Sequence, residues 1–167
     1  MAIYQAHLEN RAVLKVTGAE REDFLQNLVT QDVTRAQPQA AALLTPQGKL
    51  AFDFILQPVD DGHLIDCAGD SGEAFVKKLN LYKLRRNVEI TLTDLPVQVV
   101  WSDTPVTRLS NIEGFFEDPR AASLGLRCLG ASPADLSEFT ASKAENWAKF
   151  RLSIGVPEGP TEMPPGS

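Results

Sequence analysis

The sequence predicts an α+β fold, and three observations carry that expectation. Apolar residues alternate with period two in some runs and recur at helical spacing in others, without a strict strand–helix–strand rhythm. Neither standard glycine-rich phosphate loop is present, which argues against a doubly wound nucleotide-binding sheet. The 167 residues are 43% hydrophobic and 23% charged, which suits one ordinary core or two small units sharing one. A chain of this length needs no disulfide or structural metal for stability.

The elements follow in order. Arg11 to Val16 reads as a strand with Ala12, Leu14 and Val16 on one face. Thr17-Gly18-Ala19-Glu20 has capping-box spacing, with Glu20 placed to reach back to the Thr17 N–H. Phe24, Leu25, Leu28 and Val29 then stripe a helix expected to end near Thr30. Ala41 to Leu44 and Leu50 to Leu56 flank Thr45-Pro46-Gln47-Gly48, whose proline and glycine suit a type I turn, so a β-hairpin is expected. His63 to Cys67 is a third strand. Ser71 is placed to cap a helix carrying Phe75, Leu79 and Tyr82 at i, i+4 and i+7.

Val88, Ile90 and Leu92 alternate as a fourth strand, and Val97, Val99 and Trp101 as a fifth. Asp118-Pro119-Arg120 starts a turn, and Leu126 and Cys128 belong to another short strand. Ser132-Pro133 predicts a helix with proline at its first position. A last helix carries Trp147, Phe150 and Ile154 and stops at Gly155 and Pro157. The segment 156–167, with four prolines, is expected to be extended and to lead into further chain.

Composition narrows the function. A net charge of −6 disfavours a nucleic-acid binder working through its overall field. Cys67 and Cys128 have neither zinc nor redox spacing. The apolar runs fall short of the ~18 residues of a membrane span. Met1 to Glu9 carry no secretory signature, so the expected location is cytoplasmic.

Asp53 is the most informative residue. Leu50 to Leu56 is apolar on both faces except for this carboxylate, so the strand is expected to be buried and the acid paired, hydrogen-bonded or protonated. It either serves a site or only holds structure. Lys77, Lys78, Lys83, Arg85 and Arg86 gather five of the sixteen cations into ten residues. That stretch either receives carboxylates or phosphates or is a solvated helix face. Arg151 sits in the last turn of the final helix, either capping it or pairing with Asp53 or a ligand carboxylate. Glu158 and Glu162 lie in the Gly/Pro tail. The two cysteines read as small buried hydrophobes, and His7 and His63 have no visible partner, so no catalytic residue is assigned.

Several segments together resemble the YgfZ-type folate-binding proteins, relatives of the glycine-cleavage T-protein that assist iron–sulfur cluster assembly. They are Val16-Thr17-Gly18 with Asp23-Phe24-Leu25-Gln26, Leu28 to Val33, Ala41 to Lys49 with Phe52-Asp53-Phe54, Leu79 to Arg85, Asp118-Pro119-Arg120 with Leu124-Gly125, and Arg151 to Gly159. The family's Lys-Gly-Cys-Tyr-x-Gly-Gln-Glu motif does not occur, which makes this the front part of a longer protein by that resemblance. The resemblance implies a T-protein-like fold of two interleaved units, one from 1-37 plus 96-155 and an inserted one from 38-95, with 156-167 a tail. It implies a tetrahydrofolate cofactor, with Asp53 by the pterin and Tyr82, Arg85, Arg151 and Glu162 as further folate-binding candidates. Iron–sulfur client or assembly proteins are the implied partners, with no membrane and no nucleic acid. A tetrahydrofolate-dependent aminomethyltransferase or demethylase is an alternative, and a non-enzymatic interaction domain another.

Overall fold

The computed structural model describes residues 2–104 and 109–166. Strands β1 (Ile3–His7) and β2 (Arg11–Thr17) lead into helix α1 (Arg21–Gln26). Strands β3 (Gln39–Leu44), β4 (Leu50–Val59) and β5 (Gly62–Ala68) follow, then helix α2 (Gly72–Lys83) and strands β6 (Glu89–Thr93) and β7 (Val97–Ser102). The remainder holds β8 (Phe116–Glu117), β9 (Leu126–Leu129), β10 (Thr140–Ala141), α3 (Ala144–Ile154) and one turn of helix, α4 (Gly159–Glu162). The α+β class is as the sequence predicts.

The chain divides into two compact units, Met1–Asn10 with Leu95–Pro157, and Arg11–Asp94 with Glu158–Ser167. The sequence reading placed 1-37 in the first unit and left 156-167 as a free tail. Strand pairing decides otherwise. β2 runs antiparallel between β5 and β6, with Leu14 opposite Ile65 on one side and Leu92 on the other. Residues 11–37 therefore belong to the second unit. The end of the chain joins that unit too, where the Gly166 N–H donates to the Leu50 carbonyl at 2.9 Å.

In the second unit a five-stranded sheet has the order β3-β4-β5-β2-β6. β3 and β4 form the expected hairpin, closed by the Gly48 N–H on the Thr45 carbonyl at 2.9 Å. Strand alternation sends Phe52, Phe54 and Leu56 to the side covered by α2. There the Phe75 ring stacks on Phe52 at 4.4 Å and meets Phe54 edge-on at 5.2 Å. Leu14, Val16, Ile65 and Leu79 complete the fully buried part of this core. The opposite face is closed as well, since Val13, Ile55 and Asp66 are buried.

Two expected side-chain cap bonds are absent. Glu20 stands at the N-cap of α1, and its carboxylate accepts the Asn87 N–H rather than that of Thr17. Gly18 makes this possible: its φ is +110°, and a Cβ there would lie 2.3 Å from the Asn87 carbonyl oxygen. α1 also ends at Gln26 instead of near Thr30, because Val29 is drawn into a bridge with Leu43. Ser71 occupies the N-cap of α2 without a side-chain cap bond.

The first unit carries a second five-stranded sheet, ordered β10-β1-β7-β9-β8. β1 was not anticipated from the sequence; it pairs antiparallel with β7, Tyr4 opposite Trp101. α3 lies on this unit through Trp147, whose ring centroid is 5.4 Å from that of Trp101. Gly155 ends α3 in the left-handed region, with its N–H on the Leu152 carbonyl and that of Val156 on the Arg151 carbonyl. That is the expected glycine stop, in Schellman form. No helix follows Ser132-Pro133, because the Ser132 hydroxyl accepts the Ala134 N–H and donates to the Glu113 carbonyl, closing a local turn instead.

Candidate functional site

Asp53 lies on β4 opposite Ala42 of β3. It is half-buried, not buried as the sequence reading had it, because its face of β4 is open near the hairpin end. Its Oδ2 accepts the Gly159 N–H at 3.1 Å, which ties the start of α4 to the strand. Gly159 is the residue that permits this approach: its φ is +76°, and a Cβ there would already touch that of Ala68 at 3.4 Å. A cleft beside the carboxylate is lined by Leu50, Phe52, Ala68, Ser71, Pro160 and Met163. Its volume of about 10 Å³ is room for about one water.

The four folate candidates of the second unit, Asp53, Tyr82, Arg85 and Glu162, do not gather in one place. Glu162 comes close to Asp53 along the chain's own turn, its Oε1 accepting the Glu158 N–H at 2.8 Å, one residue before Gly159. Tyr82 packs with α2 against the other side of the sheet, and Arg85 is exposed beyond the end of that helix. Arg151 belongs to the first unit, where it is buried and its Nη1 donates to the Val156 carbonyl at 2.7 Å. It fastens the chain after α3 through a carbonyl beyond the helix, a bond distinct from capping the last helical carbonyls.

A second acidic position was missed by the sequence reading. The Arg11 side chain, 2% exposed, places Nε 2.7 Å from Asp66 Oδ1 and Nη1 3.5 Å from Glu158 Oε2. Its Nη2 also donates to the Asp66 carbonyl oxygen at 3.0 Å. Asp66 is fully buried and Glu158 nearly so. The argument applied to Asp53, a lone carboxylate in an apolar strand, describes Asp66 in Leu64-Ile65-Asp66-Cys67 better. What hid it was Arg11, far away in sequence.

Neither cysteine is set up as a nucleophile. Burial pushes the Cys67 thiol up to about 12, with the neighbouring Arg11 only partly offsetting this, and burial raises Cys128 as well. Burial lowers the His63 pKa below its ordinary value, with Nε2 3.3 Å from the Val33 carbonyl and Nδ1 without a hydrogen-bond partner among the described residues.

The fold has a solved counterpart. Over 59% of this chain and 28% of the other, it superposes with a TM-score of 0.55 on the glycine cleavage system aminomethyltransferase T from Bartonella henselae, at 13% identity. The fold is T-protein-like. No family model matches the chain. Among curated proteins, the mitochondrial iron–sulfur cluster assembly factor IBA57 of Mus musculus is 29% identical over 95% of this chain and 52% of its own length. The Homo sapiens factor of the same name is 28% identical over the same shares. The corresponding protein of Coccidioides immitis is 27% identical over 93% of this chain and 44% of its own. The T-protein-like chain thus spans about half the length of the curated relatives it matches. The names of these relatives also correct the expected location, since all three are mitochondrial and point there rather than to the cytoplasm.

Proposed function

We propose that this chain is part of an iron–sulfur cluster assembly factor whose partners are other iron–sulfur assembly proteins or their clients. One observation carries the reading: the similarity to assembly factors covers 95% of the chain. It is tested by complementation. Cells lacking the full natural protein are expected to lose activity of their iron–sulfur enzymes while enzymes without clusters keep theirs. Return of the full-length gene should restore it. Unchanged cluster-enzyme activity in the deletion would refute the assignment.

Tetrahydrofolate is the ligand this reading favours, with Asp53 as its anchor. A reduced pterin offers a ring edge rich in N–H donors, and a carboxylate is the group that accepts them. Asp53 fits in chemistry: it is half-exposed, it holds a backbone N–H on one oxygen only, and Leu50, Phe52 and Met163 give apolar walls. The cleft itself is too small for a bicyclic ring, so binding there would require the Gly159–Glu162 turn to give way. Calorimetric titration with tetrahydrofolate is expected to show saturable binding that weakens at least tenfold in Asp53→Ala, about 1.4 kcal/mol. Equal affinity in the two proteins would remove Asp53 from any folate site.

A further inference from the structure

The end of α2 exposes apolar side chains that the core does not use. The helix buries Phe75 and Leu79 completely, yet Leu81 is 64% and Leu84 81% exposed. Leu84 is also held in a backbone conformation that disfavours it, with φ 53° and ψ −116°. Among the described residues it is the one non-glycine with positive φ. A leucine there is strained and solvated at once, and a glycine would be neither. Folding stability does not explain its presence.

Of the five cations around it, three have partners among the described residues and two do not. Lys83 donates to the Val88 carbonyl at 3.1 Å, and Arg86 is 3.7 Å from the exposed Asp23. Lys78 lies over the Tyr82 ring. Lys77 and Arg85, one turn before Leu81 and directly after Leu84, are exposed with no ion pair or hydrogen bond recorded among the described residues. Two bare leucines flanked by free cations therefore stand on a protein whose net charge is −6.

We propose that Leu81 and Leu84, with Lys77 and Arg85, form a docking surface for a partner protein that presents an apolar helix face flanked by acidic side chains. Charge complementarity selects the acid, and the strained leucine supplies the anchor. Nucleic acid is disfavoured because the patch exposes two leucines and the molecule as a whole is acidic. A lipid surface is disfavoured because two leucines on a helix whose other face is fully buried offer little to insert. The surface is separate from Asp53, on the other side of the sheet, and the inference does not rest on folate binding.

The probe is a fluorescein-labelled helical peptide of glutamates and alanines with leucines four residues apart, read by fluorescence anisotropy. Saturable binding is expected. It should weaken at least tenfold in Leu81→Ser/Leu84→Ser, in Lys77→Glu/Arg85→Glu, and with a peptide whose leucines are replaced by serine. The Leu84→Gly variant separates function from folding, since its melting temperature should rise while peptide binding falls. Three results would each overturn the proposal. One is no saturable binding. Another is binding indifferent to the leucines on either side, which is bulk charge attraction alone. The third is equal variant dependence on phosphatidylglycerol/phosphatidylcholine vesicles, which would assign the patch to a membrane.

Discussion

Arg11, Asp66 and Glu158 show how much one buried cation organises. Arg11 serves two buried carboxylates from two distant parts of the chain, and both lose a charged partner without it. Arg11→Met is therefore expected to destabilise the protein by about 3–5 kcal/mol, the range for breaking one side of a buried pair. Urea unfolding of the variant and parent measures it, and a difference under 1 kcal/mol would mean that water replaces the guanidinium. His63 sets a pH dependence of opposite character. Its folded pKa lies below the ordinary 6.5 because burial penalises the cation, so below pH 6.5 the unfolded chain takes up the proton first. Stability is then fully present above pH 6.5 and falls as the pH drops below it, at up to about 1.4 kcal/mol per pH unit. Urea midpoints between pH 7.5 and 5.5 should show this fall in the parent and a flatter profile in His63→Asn.

At the scale of elements, local chemistry determined the strands and middle distance determined the caps. The hairpin of β3 and β4, the alternation of β6 and β7 and the glycine stop of α3 were all legible, because each depends on residues a few positions apart. The side-chain bonding at the starts of α1 and α2 was not, although Ser71 was legible as the N-cap residue of α2. Glu20 had a local partner available and took Asn87, a residue brought alongside by the pairing of β2 with β6. Gly18 is the hinge of that arrangement, and Gly18→Ala is expected to cost about 1–3 kcal/mol through its positive φ and the clash with Asn87. Chemical denaturation tests it; a neutral substitution would show that the loop at Asn87 moves aside without cost. Asp53 belongs here as well. The strand was read correctly as apolar on both faces, but the open hairpin end left its carboxylate half-exposed.

For the molecule as a whole, the terminal segment is structural. Glu158–Ser167 returns to the second unit through the Glu158–Arg11 pair, the Gly159–Asp53 bond and the Gly166–Leu50 bond. Deleting 158–167 is expected to lower protection of β4 and β5 amides in hydrogen exchange by at least tenfold, and unchanged protection would make the segment a passive tail. The amino-acid sequence by itself determined the α+β class, most of the strands, the two helices α2 and α3 and the apolar positions of both sheets. Those follow from periodicities that repeat within a few residues, where the chain's own stereochemistry is decisive. Tertiary structure alone decided that β2 joins the second unit, that Asp66 is buried while Asp53 is not, and that Tyr82 packs on the other side of the sheet from Asp53. Those outcomes depend on which distant segments pair, and a burial pattern compatible with several pairings carries no record of the one that forms.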